Sequence, residues 1–82
     1  MKMLIPPHSN INNSRYGQHQ NAPVNIDKVL TITKSREHYY PDNDGIPVIF
    51  FWFGDNNKHQ WFFDKGQENL RDKTYNQIIE AK

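Results

Sequence analysis

The sequence predicts an α+β domain: a three-stranded antiparallel meander packed on one C-terminal helix, preceded by a flexible N-terminal arm. Three observations predict it. Between positions 29 and 64, runs of β-branched and aromatic residues are separated by Asx- and Gly-rich turns. From position 67 onward the apolar residues recur at helical spacing instead. Before position 24 neither period is present. The chain has 82 residues, enough for one small domain. Its expected division is an arm over 1–23 and a β-β-β-α domain over 24–82.

The arm is read from composition. Pro6, Pro7, Gly17 and Pro23 punctuate a segment rich in Asn and Gln, with too few apolar residues to offset the entropy of ordering it alone. Leu4, Ile5, Ile11 and Tyr16 are its candidate anchors for docking on a partner.

The first strand is predicted at Val29-Leu30-Thr31-Ile32-Thr33, with Leu30 and Ile32 on one face. Lys34 to Tyr40 extends it, and so long a strand calls for a bulge or bend near Ser35. Pro41-Asp42-Asn43-Asp44-Gly45 then reads as a turn, because Pro presets φ, Asx side chains bond their own backbone and Gly supplies positive φ. The second strand, Ile46 to Phe53, is apolar on both faces, as a covered central strand is. Gly54-Asp55-Asn56-Asn57 is the next turn and Lys58 to Asp64 the third strand. A three-residue loop would set Phe51 opposite Trp61; a two-residue Asn56-Asn57 turn would set Trp52 there instead.

Gln67 to Ala81 reads as a helix whose buried stripe is Leu70, Thr74, Ile78 and Ala81, widened by Tyr75 and Ile79. Arg71 falls inside the stripe and must extend its guanidinium to the rim. Asp64 and Gln67 have the spacing of a capping box.

Several classes of chemistry find no support. There is no cysteine, which removes disulfides, thiolate metal sites and a cysteine nucleophile. The four histidines, His8, His19, His38 and His59, lack metal-ligand spacing. Asp42-Asn43-Asp44-Gly45 resembles the middle of a calcium loop, but Tyr40 and Phe51 stand where the first and last acidic ligands belong. No serine lies in a nucleophile elbow and no glycine-rich phosphate loop exists. The expectation is therefore a protein that is not an enzyme and takes no cofactor. With no secretory leader or membrane span in the sequence, a cytoplasmic location without membrane contact is expected.

The aromatics carry the functional reading. Seven of them, Phe50, Phe51, Trp52, Phe53, Trp61, Phe62 and Phe63, sit on two adjacent strands. One helix covers one sheet face, so those on the other face form an interaction surface. Phe51, Trp52, Phe53, Trp61 and Tyr39 are the candidate contacts for a protein partner. The partner expected is a larger host protein, inhibited or modulated by stoichiometric binding in the manner of small phage or mobile-element accessory proteins; a homodimer through the same face is the other way to complete the burial. The alternative is a single-stranded RNA- or DNA-binding sheet, with Lys34, Arg36 and Lys58 holding phosphates. A formal charge of +1 gives nucleic acid no strong pull.

Overall fold

The computed structural model describes residues 3–13, 17–39 and 42–81; the side chains at 12, 13, 17, 38, 39 and 42–44 fall outside that description. The central sheet has the order β5-β6-β7, with β5 at Thr31–Tyr39, β6 at Asp42–Gly54 and β7 at Asn57–Phe62. All its pairings are antiparallel, and α1, Glu68–Ala81, packs on one face. The predicted α+β architecture is the observed one. Among the described residues no helix is long and apolar enough to cross a membrane.

The stretch read as an arm, where it is described, holds short strands. β1 (Met3–Leu4) pairs with β4 (Val24–Asn25), and β2 (Asn10–Asn13) pairs with β3 (Gly17–Gln20) as a hairpin. Leu4 and Val24 reach the core. Tyr16, one of the expected anchors, lies outside the described residues.

A one-turn 3-10 helix, Ile26–Lys28, follows β4, and the Asn25 side chain caps it by accepting from the Asp27 N–H. This turn changes the entry to β5. Val29 is buried while Leu30, expected beside Ile32 on the inner face, is 69% exposed. Leu30 precedes the strand, and its N–H bonds the Trp52 carbonyl.

The first hairpin closes earlier than its turn chemistry implies. Asp42 to Gly45 belong to β6, and the ladder shifts between Glu37 and Tyr39, not near Ser35. Asn43, Asp44 and Gly45 there oppose the single residue His38, and Gly45 takes φ 66° to absorb the surplus. The expected turn is thus a bulge.

The second hairpin adopts neither expected register. Its turn is Asp55-Asn56 with φ 52° and 65°, the two left-handed residues of a type I′ turn. Phe53 is an extra residue between the pairs Trp52↔Lys58 and Gly54↔Asn57. That sets Phe51 opposite His59 and Ile49 opposite Trp61. Phe51 and Trp61 meet on the diagonal, edge to face, with ring centroids 4.7 Å apart.

The helix-side core joins Val24, Ile26, Val29, Ile32, Ile49, Phe51, Trp61, Phe63 and Ile78. Phe51, Trp61 and Phe63 are almost wholly buried, and each contributes roughly 2–3 kcal/mol of transfer free energy. Thr74 and Ile78 are the buried helix residues, with Leu70 and Tyr75 bordering the core; Ala81 and Ile79 are exposed. Asp64 does not cap α1. It opens a turn to Gln67, whose N–H bonds the Asp64 carbonyl while its Oε1 accepts the Asp64 N–H. Gly66 supplies φ 86° in that turn, and Gln67 accepts the first helical hydrogen bond, from Arg71.

One outer strand of the sheet is capped by a side chain: the Asn21 carboxamide bonds both main-chain groups of Phe62 on the open edge of β7. Arg71 Nη1 donates at 2.6 Å to the Ser35 carbonyl of β5, which faces β6, and so ties the helix to the ladder between these strands. Pro47, inside the central strand, is tolerated because its carbonyl, and hence its missing N–H, faces Phe63 just past the end of β7.

Candidate functional site

Strand alternation divides the sheet residues between two faces. The helix side holds Ile32, Lys34 and Arg36 of β5, Ile49 and Phe51 of β6, and His59 and Trp61 of β7. The other side holds Thr31, Thr33, Ser35 and Glu37, then Ile46, Val48, Phe50 and Trp52, then Lys58, Gln60 and Phe62, with Glu37 at the end opposite Ile46, away from Lys58.

That second face is only half covered. The β2–β3 hairpin turns Ile11 and its partner His19 toward it, and His19 stacks on Phe62 at 4.2 Å and 19°. At this end Ile11, Val48 and Ile46 are buried, the last two completely. At the other end Phe50 and Trp52 keep part of their surface in solvent. Phe50 and Trp52 lie 5.8 Å apart, and the Trp52 Nε1 donates to Thr33 Oγ1 at 3.0 Å, which fixes the indole. The Lys58 ammonium sits 4.5 Å from the Phe50 centroid and 5.3 Å from that of Trp52.

The expected contacts separate accordingly. Trp52 is on the open end of the helix-free face. Phe51 and Trp61 are interior, so no partner reaches them without opening the core. The Trp61 Nε1 is also occupied, donating to the Ala22 carbonyl at 2.7 Å. Phe53 is half-buried against the core, and the Tyr39 side chain is outside the described residues. Phe50, named from sequence as part of the aromatic run, joins the site, and so does Thr33, which was not singled out. The parity of 50 and 52 was the available signal, but parity alone does not say which face the helix takes.

The three expected phosphate contacts do not converge. Lys34 and Arg36 lie on the helix side, where Lys34 pairs with Asp72 at 3.6 Å and Arg36 with Glu68 at 2.7 Å. Arg71 grips Asp72 through Nε and Nη2 and extends to Ser35, the rim position its place in the stripe demanded. Hydrogen bonding from Arg36 is the main cause that holds the Glu68 carboxyl below its usual range; for Asp72 it is hydrogen bonding from Arg71, helped by the Lys34 charge. Lys58 alone remains with the exposed aromatics.

Among the described residues no three His, Asp or Glu side chains gather as a metal would require. An apolar groove runs between Leu4, Ile5 and the helix residues Thr74, Gln77 and Ile78, above Trp61. Its volume is about 160 Å³, below the roughly 300 Å³ at which small-molecule pockets begin; a more polar cleft among Asn10, Ile11, Gln18 and Gln20 measures about 320 Å³. Comparison with protein families, with functionally described proteins and with solved structures gives no match to this chain.

Proposed function

We propose that this chain is a non-enzymatic protein-binding module that acts stoichiometrically, covering part of a larger protein and thereby inhibiting or modulating it, as phage or mobile-element accessory proteins do. The observation that carries this reading is the half-covered face, where Trp52 and Phe50 are held in fixed orientation with part of each ring in solvent. A rigid, partly exposed indole loses little entropy on docking, which is the quality of an interface anchor. The Asn21 cap on β7 favours docking on the face over addition of a strand at that edge.

The test is capture from lysate of the native host with the tagged chain and its Trp52→Ala variant, at low and high salt, with and without nuclease. One stoichiometric protein that survives both treatments and is lost with the variant is the expected result. Binding should fall by about 2 kcal/mol or more while the variant stays folded. Material released by nuclease or salt would replace this reading with the nucleic-acid one.

A further inference from the structure

The cations of the two sheet faces are handled differently. On the helix side Lys34, Arg36 and Arg71 each have a carboxylate within 4 Å. On the open face Lys58 is exposed and has no ion pair among the described residues; its neighbours are the rings of Phe50 and Trp52. Aromatic faces stabilise an ammonium electrostatically but accept none of its hydrogen bonds in the way a carboxylate does. The exposed end of this face thus combines two apolar rings with one cation lacking a counter-ion.

We infer that the surface docking on Trp52 and Phe50 is an acidic–apolar segment of a protein, with an apolar side chain over the indole and an Asp or Glu bonded to Lys58. This rests on the protein-binding reading above and names the chemistry of the partner. A carboxylate brought there meets a charge already held in place and partly desolvated by two rings, where a charge pair is worth more than at an open surface. A second copy of the chain fits less well, because the same patch would bring another lysine and no carboxylate. A nucleic-acid backbone needs several cations along its path, and Lys34 and Arg36 are on the opposite face, already paired.

The experiment selects binders from a yeast-displayed random-peptide library against the full chain, then measures them against Trp52→Ala, Lys58→Met and Lys58→Glu, each checked for native circular dichroism. Selected peptides should carry Asp or Glu beside an aromatic or aliphatic residue and should require Trp52. Lys58→Met should weaken them several-fold and Lys58→Glu at least about tenfold, while selection against Lys58→Glu should enrich Lys and Arg instead. Peptides that need Trp52 but show no acidic bias, or that ignore Lys58→Glu, overturn the inference and leave the protein-binding reading standing. Absence of any Trp52-dependent peptide overturns both. A Trp52-dependent dimer on sizing, or an oligonucleotide bound in place of peptides, likewise overturns the acidic partner.

Discussion

The side-chain amide of Asn21 bonds the main chain of Phe62 at both its groups: Oδ1 accepts the Phe62 N–H at 2.8 Å and Nδ2 donates to the Phe62 carbonyl at 2.9 Å. One carboxamide therefore does what a neighbouring strand would do at that position. Nδ2 also reaches the His8 carbonyl at 2.8 Å, and the Asn21 N–H bonds Ser9. A single buried polar residue thus joins the N-terminal segment to the last strand.

Removing that amide should be costly. Asn21→Ala strands the Phe62 N–H and the two carbonyls, each in a poorly hydrated place, and is expected to lower stability by about 2 kcal/mol in urea titration. Asn21→Asp should be worse, since a carboxylate oxygen would face the Phe62 and His8 carbonyls. A loss under about 0.5 kcal/mol for both would show that water replaces the amide.

Phe51 and Trp52 are adjacent in sequence and should respond in opposite ways. Phe51→Ala leaves a cavity beside Trp61 and should cost about 3–5 kcal/mol, enough to unfold so small a domain. Trp52→Ala should keep native circular dichroism at room temperature and lose only the docking surface. Thermal melts of the two variants check this directly.

The Arg36–Glu68 contact sets a modest pH dependence. Hydrogen bonding from Arg36 lowers the Glu68 pKa below its usual 4.5. The unfolded chain therefore takes up the proton first as pH falls. The contribution is fully present above 4.5 and disappears as pH drops through the lower folded value. Both side chains are about one-third exposed, so solvent screening limits it to about 0.5 kcal/mol at neutral pH. The difference in urea midpoint between the native chain and Glu68→Gln should shrink toward zero below that range.

At the second turn, Asn56 holds φ 65°. Asn56→Gly relieves the left-handed strain and should raise stability by about 0.5–1 kcal/mol, whereas Asn56→Val should lower it by at least as much. Thermal midpoints of the two variants would separate them, and equal midpoints would mean the turn relaxes to another type.

Much of this was legible because it depends on local alternation. The three-residue loop puts Ile49, Phe51, Trp61 and Phe63 on one face, and the observed register keeps them there because it differs by two residues; the two-residue turn would have split them. The helix follows from Leu70, Thr74 and Ile78. What was hidden depends on contacts distant in sequence. Asn25 capping a single 3-10 turn displaces Leu30 outward, and a bulge at Phe53 shifts the ladder. Asn21 reaching 41 positions along the chain to Phe62 has no local signature at all. For the same reason Phe51 and Trp52 looked equally good as contacts: parity separates them, but only the packing of Ile78 shows which side is closed.

The strand cap and the helix arrive at different times during synthesis. Asn21 has left the ribosome before β7 exists, so the last strand meets its cap as soon as it forms. The C-terminal helix is made after every strand it covers. Until then the nascent chain displays, with its helix side bare, a hairpin containing Val48-Ile49-Phe50-Phe51-Trp52-Phe53, a run with the composition of a fibril-forming segment. A chain that stalls or is cut before the helix keeps that hairpin and loses its cover. Such a product should form cross-β aggregates instead of a smaller domain, and the helix acts as a chaperone carried in cis.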